Sequence, residues 1–203
     1  MIVFITGTDT DIGKTLVSSW LCLHTKYDYY KPIQTGSTEC LDSKTVYNLS
    51  QTKIHQESYI FKNPLSPHMA AQDEKRYIDI EKIKLPKANN IIVEGAGGLL
   101  VPLNDNYFIA DLISKFKTPV ILVARSKLGT INHTLLSLEY LKQKNIKVLG
   151  VILSGEKNTR NRESIEQYGK VEVLAELPHI KNICYDSLKS IPLTAKLKKI
   201  LEV

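Results

Sequence analysis

Short apolar runs along the chain alternate with segments in which apolar residues recur at helical spacing. The runs predict strands over 2–6, 27–31, 90–94, 119–124, 147–153 and 171–175, and the helical pattern predicts helices over 13–25, 42–51, 108–117, 129–144, 159–169 and 194–201. The run 120–123 is apolar at every position, which indicates a strand buried on both faces. This alternation predicts the α/β class, with a doubly wound, mostly parallel sheet and helices on both faces. The proline-containing segment 52–89 predicts an extended excursion with at most a short helix.

A glycine-bounded segment follows the first predicted strand and leads into the first predicted helix. Residues 7–15 read Gly-Thr-Asp-Thr-Asp-Ile-Gly-Lys-Thr. In a phosphate-binding loop, backbone N–H groups surround phosphate oxygens, the lysine reaches the terminal phosphates and the threonine hydroxyl binds Mg²⁺. Five residues, instead of the usual four, separate the two glycines, and Thr8 holds the usual first position. The strand before and the helix after favour a phosphate loop over a chance match, so we expect a bound nucleoside triphosphate, with Lys14 and Thr15 in these roles.

Length and composition predict one domain of a globular protein over 1–203. Of the 203 residues, 43% are hydrophobic and 24% are charged, and no apolar stretch approaches the roughly 20 residues of a membrane span. Met1 leads directly into a predicted strand, so we expect no cleavable signal peptide and a cytoplasmic protein. The formal net charge of +6 comes from scattered lysines and arginines without interleaved aromatic residues. We therefore expect neither a nucleic-acid partner nor a membrane partner.

Polar or glycine-rich segments follow three of the predicted strands, over 31–37, 94–98 and 127–133. The carboxyl ends of parallel strands meet at one edge of the sheet, where ligands bind. Glu94 ends an otherwise apolar strand, and a carboxylate there is costly to desolvate unless it is paired or bound to a metal. With Mg²⁺ at Thr15, this carboxylate predicts a metal ligand rather than a simple strand-end cap.

Three further polar residues in the first half of the chain have alternative interpretations. Lys31 is either a second cation of the site or an ordinary solvated lysine at a strand end. Asp42 stands near a predicted helix start, where it would act as an N-cap or as an acidic partner of the site. Glu39 is the alternative acidic partner.

Five segments, read in order, resemble the dethiobiotin synthetase family of P-loop NTPases along essentially the whole chain. They are Gly-Thr-Asp-Thr-x-x-Gly-Lys-Thr at 7–15, Tyr-Lys-Pro at 30–32, Ser-Pro-His at 66–68, Glu-Gly-Ala-Gly-Gly at 94–98 and Lys-Leu-Gly-x-Ile-Asn-His at 127–133. The resemblance implies an ATP-dependent carboxylation and ring closure of 7,8-diaminononanoate (7,8-diaminopelargonate) with CO₂. The implied products are dethiobiotin, ADP and phosphate, formed through a carbamate and a carbamic-phosphoric anhydride.

The resemblance also implies roles for individual residues. It places the catalytic groups at Lys31, Lys14, Thr10 and Asp11. It places nucleotide binding at Asp11, Ile12, Gly13, Lys14, Thr15, Leu16, Asp42, Glu94, Gly95, Ala96, Gly97, Ser154, Leu177, Pro178 and His179. It places Mg²⁺ on Thr15, Asp42 and Glu94, and the substrate on Lys31, Thr35, Gly129, Thr130, Ile131 and Asn132. In the family the last four belong to the second subunit, so a homodimer is implied.

One position departs from the family pattern. Members usually carry Asn-Asp after the strand equivalent to 147–153, where the asparagine contacts the adenine edge, and this chain has Ser154-Gly155. A serine hydroxyl cannot reproduce the two-point contact of an amide. We therefore expect weaker base selection and acceptance of other nucleoside triphosphates, although the segment 176–179 beside the base can compensate.

Two other functions use a similar phosphate loop. The first is a P-loop amidoligase subunit, which in this class is paired with a glutamine-hydrolysing domain for which this chain is too short. The second is a nucleotide-dependent ATPase of the partitioning type, which commonly carries an extra lysine early in the loop, where this chain has Thr8-Asp9-Thr10. The segments 31–32 and 66–68 favour the synthetase over both.

Overall fold

A seven-stranded sheet forms the centre of the computed structural model, which describes residues 1–38 and 40–203. Its strand order is β4-β2-β6-β1-β7-β8-β9, and every pair of neighbouring strands is parallel. The strands are β1 Ile2–Gly7, β2 Asp28–Tyr30, β3 Ile33–Gln34, β4 Ile54–His55, β5 Tyr59–Ile60, β6 Ile91–Gly98, β7 Val120–Arg125, β8 Val148–Ser154 and β9 Val173–Leu177. Strands β3 and β5 form a separate two-stranded parallel sheet.

Helices cover both faces of this sheet. They are α1 Lys14–Thr25, α2 Asp42–Ser50, α3 Pro67–Asp73, α4 Ile109–Phe116, α5 Thr130–Gln143, α6 Thr159–Gly169, α7 Tyr185–Lys189 and α8 Ala195–Leu201, with a short 3₁₀ turn at Ile80–Lys82. One apolar core joins the sheet to α1, α2, α7 and α8. Two further apolar clusters join the opposite face to α3, α4, α5 and α6. The predicted α/β class and doubly wound sheet are confirmed, and the sheet is parallel throughout the described residues.

The alternation of side chains along the strands decides which residues face α1. In β6, Ile92 packs into the core on the α1 side, whereas Val93 packs into the core on the opposite side. Glu94 follows in the same alternation and therefore points to the α1 side. Tyr29 of β2 packs into the same core as Ile92, and Lys31 comes two residues later. The alternation of side chains along β2 and β6 thus brings Tyr29, Lys31 and Glu94 to one face of the sheet.

Most predicted elements match the observed ones to within one residue at each end, and the exceptions are as follows. Strand β6 continues to Gly98, past the predicted end at 94, so Glu94 lies within the strand, and β3 was not predicted because two residues are too few to show a pattern. The last strand runs from Val173 to Leu177, two residues later than the predicted 171–175, because Val171 lies in the connection after α6. The excursion 52–89 contains the predicted short helix, α3, but also strands β4 and β5, which are too short to show an apolar alternation. Helix α7 has five residues, below the length at which helical periodicity is visible, and it was not predicted. Among the described residues, no helix is both long enough and apolar enough to cross a membrane.

Candidate active site

The phosphate loop joins the carboxyl end of β1 to the start of α1. Gly13 is the N-cap of α1 and has a φ of 93°, a left-handed conformation that favours glycine. A Cβ at this position would lie 2.5 Å from Oγ of Ser154, so the close approach of β8 also requires glycine. Lys14, the first residue of α1, donates from Nζ to the backbone oxygen of Asp9 at 2.8 Å. Burial lowers the pKa of Lys14, against the opposing effect of Glu94, so a phosphate that compensates the buried ammonium is a favourable ligand.

Glu94 is the buried acid of the site, with an exposed fraction of 1%. Oγ1 of Thr15 donates to its Oε1 at 2.9 Å, and the hydroxyl of Tyr29 donates to its Oε2 at 3.1 Å. Nζ of Lys31 also reaches Oε1, at 3.4 Å. A buried carboxylate is tolerated when hydrogen bonds and an opposite charge compensate its lost hydration, and all three partners supply this compensation.

Lys31 lies between two carboxylates. Its exposed fraction is 6%, and its ammonium pairs with Asp42 as well as with Glu94. Burial alone would lower the pKa of Lys31, but the charges of Glu94 and Asp42 outweigh this effect and raise the pKa. The side chain is therefore a protonated cation at neutral pH, and the interpretation of Lys31 as an ordinary solvated lysine is wrong.

Asp42 is held at the first turn of α2. It is the first residue of the helix and Leu41 is the N-cap, so the interpretation of Asp42 as the N-cap is wrong by one position. Its backbone N–H donates to Oε1 of Gln34 at 3.1 Å, and Nε2 of Gln34 donates to the backbone oxygen of Thr35 at 2.6 Å. This arrangement leaves the carboxylate free to pair with Lys31. Glu39, the alternative acidic partner, lies outside the described residues.

These side chains line one cavity of about 600 Å³ at the carboxyl edge of the sheet. The sequence-predicted residues that line it are Thr10, Asp11, Ile12, Gly13, Lys14, Thr15, Lys31, Thr35, Asp42, Glu94, Ala96 and Gly97. The cavity also includes Ser66 and Pro67 at the start of α3, which explains how the third sequence segment reaches the site.

Other predicted residues lie outside this lining. Leu16 is on α1 behind the loop, and Gly95 faces Phe4, whose ring would be 2.9 Å from an added Cβ. Ser154 and Leu177 end the neighbouring strands β8 and β9, where the backbone N–H of Gly155 donates to the oxygen of Leu177 at 2.9 Å. Pro178 and His179 follow directly after the end of β9. Gly129, Thr130, Ile131 and Asn132 form the start of α5.

The donor set of the cavity fits a hard divalent cation. The hydroxyl of Thr15 and the carboxylates of Asp42 and Glu94 are all oxygen donors, linked to one another through direct contacts or through Lys31. In the described part of the chain, no three His, Cys, Asp or Glu side chains cluster as a metal site. Mg²⁺ does not need such a cluster, because it retains several waters and usually takes one or two carboxylates together with phosphate oxygens.

Comparison with known proteins agrees with this geometry. A family model described as an AAA domain matches residues 2–184. The ATP-dependent dethiobiotin synthetase BioD of Lawsonia intracellularis (strain PHE/MN1-00) is 54% identical over 200 residues, covering 98% of each chain. The chain belongs to the dethiobiotin synthetase family. A second member, from Paramagnetospirillum magneticum (strain ATCC 700264 / AMB-1), is 46% identical over 94% of each chain.

Membership of this family is compatible with a more distant likeness in fold. The crystal structure of a ParA family ATPase from Chlorobium tepidum TLS superimposes with a TM-score of 0.57 over 98% of this chain and 95% of that chain. The sequence identity is 11%, so this likeness concerns the fold alone. The family of this chain is given by its full-length sequence relatives.

Sequence reasoning missed two polar residues that support the cavity. Tyr29 holds Glu94, and Gln34 holds Asp42. The sequence did indicate Tyr29, because it lies two residues before Lys31 and side chains two apart in a strand point to the same face. Gln34 lies in the polar segment 31–37, but nothing in that segment marks its contact with Asp42, since the contact depends on the position of α2 relative to β3.

The ion pair between Asp9 and Arg125 was also missed. Arg125 ends β7 and pairs with one carboxylate oxygen of Asp9, whose other oxygen accepts from the backbone N–H of Thr10 at 2.8 Å. The backbone oxygen of Asp9 accepts the Lys14 bond described above. Arg125 therefore braces the early part of the phosphate loop from a strand that is distant in sequence.

We expect Tyr29→Phe to lower the free energy of unfolding by about 1–3 kcal/mol, because it leaves Oε2 of a buried carboxylate without its donor. Urea denaturation followed by circular dichroism measures this change. Tyr47→Phe is the matched control, because Tyr47 is exposed, and it should change the free energy by less than about 0.5 kcal/mol. Equal stabilities of the two variants would show that the Tyr29 hydroxyl does not support Glu94.

Proposed function

We propose that this chain catalyses the ATP-dependent ring closure of 7,8-diaminononanoate with CO₂, giving dethiobiotin, ADP and phosphate. The observation that carries the proposal is the placement of a second buried lysine, Lys31, in the same cavity as Lys14 of the phosphate loop. One lysine suits the phosphate chain and the other suits an anionic acceptor. The full-length relatives, which are named ATP-dependent dethiobiotin synthetases, support the same reaction.

The phosphate loop accounts for binding of ATP. Backbone N–H groups at the start of α1 point toward an anion, and the helix dipole favours negative charge there. Lys14 exchanges the backbone oxygen of Asp9 for phosphate oxygens, which restores a full charge partner to its buried ammonium. Mg²⁺ held by Thr15, Asp42 and Glu94 would neutralise charge on the transferring phosphoryl group.

Lys31 accounts for the acceptor side of the reaction. One amine of the substrate adds to the carbon of CO₂ and loses a proton, which gives a carbamate. The ammonium of Lys31, whose raised pKa keeps it protonated, stabilises the carbamate oxygens, and the hydroxyl of Thr35 donates to the same end of the substrate. A carbamate oxygen then attacks the γ-phosphorus and ADP leaves. The second amine attacks the carbonyl carbon and loses a proton, and phosphate leaves as the ring closes.

The start of α5 supports a homodimer in which each subunit completes the other's site. Residues 129–132 lie outside the cavity lining, and N–H groups at a helix start bind carboxylates, so they suit the substrate's distal carboxylate in the partner's site. Leu128, just before α5, is fully exposed, and Leu136 on the same helix is 63% exposed. Exposed apolar side chains beside a functional segment are typical of a protein interface.

The first test of the activity measures phosphate release from ATP in the presence of Mg²⁺ and bicarbonate, with and without 7,8-diaminononanoate. We expect release to require the diamine and to yield dethiobiotin. Lys14→Ala should reduce turnover by at least about 1,000-fold, because phosphoryl transfer depends on charge neutralisation, while circular dichroism stays unchanged. Release that is independent of the diamine would contradict the proposed reaction and favour the switch-type ATPase.

The second test concerns base selection. Ser154 lies against Gly13 and offers only a short hydroxyl at the position of the family asparagine. We expect kcat/KM for ATP to exceed those for GTP and CTP by less than about tenfold, the equivalent of one hydrogen bond. Ser154→Asn should increase the preference for ATP. A strong preference for ATP in the unmodified chain would show that other residues, such as those at 177–179, select the base.

The third test concerns the dimer. Sedimentation velocity at micromolar protein should show a species of twice the chain mass, and Leu136→Lys should shift the population toward monomer because it places a charge in an apolar contact. Tyr77→Lys is the control, since Tyr77 is similarly exposed but lies in the excursion before the 3₁₀ turn. A monomeric unmodified protein would contradict the proposed assembly.

A further inference from the structure

Lys31 already occupies the carboxylate oxygens that the proposed metal ion would use. Oε1 of Glu94 accepts the hydroxyl of Thr15 at 2.9 Å and also contacts the ammonium of Lys31 at 3.4 Å. The same ammonium pairs with the carboxylate of Asp42. The oxygens that suit a divalent cation are therefore the oxygens that hold the lysine.

The shared oxygen of Glu94 cannot readily turn away from this contact. The hydroxyl of Tyr29 fixes the other carboxylate oxygen at 3.1 Å, and the whole side chain is buried. Asp42 is similarly held through its backbone by Gln34. The carboxylate of Glu94 is thus fixed in position and Asp42 is anchored at its backbone, whether their cation is the lysine or another charge.

Two cations on these carboxylates would lie side by side. Their repulsion is strong because the site is buried and little screened by solvent. Lys14 does not face the same conflict, since its ammonium rests on an uncharged backbone oxygen of Asp9. Of the two lysines that line the cavity, only Lys31 has to give up a charge partner when a metal binds.

We propose that the ammonium of Lys31 and a divalent cation compete for Asp42 and Glu94, so that metal binding releases Lys31 toward the acceptor substrate. The inference rests on the proposed metal ligands of the preceding section. Binding of the metal–nucleotide complex would thus free Lys31. The lysine can contact the carbamate only after another cation has replaced it at Asp42 and Glu94. The competition also requires the protein alone to bind divalent cations weakly.

The test is a titration of the protein with Mn²⁺ in the absence of nucleotide, with free Mn²⁺ measured by electron paramagnetic resonance. Lys31→Met keeps the length of the side chain but removes the competing charge, and we expect it to lower the Kd for Mn²⁺ at least about tenfold. Lys31→Arg keeps the charge, and its Kd should stay within about threefold of the unmodified protein. Glu94→Gln removes the charge of a proposed metal ligand. The double variant with Lys31→Met and Glu94→Gln should therefore bind Mn²⁺ more weakly than Lys31→Met alone.

Equal Mn²⁺ affinities of the unmodified protein and Lys31→Met would overturn the competition, provided that both bind Mn²⁺ together with a non-hydrolysable ATP analogue. Tight binding of Mn²⁺ by Lys31→Arg would also overturn the proposal. The increase in affinity would then come from the change in side-chain shape and not from removal of the charge. If no form binds Mn²⁺ even with the nucleotide, the proposed metal ligands themselves are wrong.

A second measurement uses the unmodified protein and does not depend on whether a variant folds. Nuclear magnetic resonance of ¹⁵N-lysine-labelled protein follows the Nζ signal of Lys31, which burial and ion pairing protect from exchange with water. Addition of Mg²⁺ with the ATP analogue should shift this signal or broaden it, whereas the analogue alone should not. A Lys31 signal that is unchanged by the metal would overturn the proposal.

Discussion

The burial of one carboxylate, that of Glu94, organises the site. The side chain lies in the middle of a central strand, where an unpaired charge would be costly. Its partners come from three different places: Thr15 from α1, Tyr29 from β2 and Lys31 from the connection after β2. The phosphate loop, strand β2 and strand β6 must therefore be correctly aligned for Glu94 to make all three contacts.

The parallel topology makes this register possible. Strand β6 lies between β1 and β2, and Glu94 is aligned with Ile5 of β1 while Val93 is aligned with Tyr30 of β2. The loops that follow β1 and β2 consequently leave the sheet at the same edge, on either side of the carboxylate. Helix α1 packs against the face to which Glu94 points, and Thr15 in its first turn therefore donates directly to the carboxylate.

Much of this arrangement follows from the sequence, and the remainder depends on contacts between distant segments. Apolar runs such as 120–123 predict buried strands, and the spacing within 7–15 predicts the loop, because both signals are local. The pairing of Asp9 with Arg125 joins residues that are 116 positions apart, and the approach of Ser154 to Gly13 joins the end of β8 to the start of α1. Such contacts depend on strand order, which no local pattern specifies. The role of Lys31 was predicted as one of two alternatives, because only its neighbours in space decide whether it is buried.

The candidate site draws on segments that follow two strands, β1 and β2. The loop after β1 carries Lys14, whose ammonium donates to the backbone oxygen of Asp9, and the likeness to a ParA family ATPase at 11% identity extends to the fold alone. The segment after β2 adds what a phosphate site alone does not need, a buried lysine balanced by two carboxylates. A cation in this position suits an anionic acceptor, and in the proposed competition the two carboxylates hold the lysine until a metal replaces it. The proposed acceptor site therefore lies at the end of β2 rather than in the phosphate loop, and a fold shared with other proteins does not by itself identify the reaction.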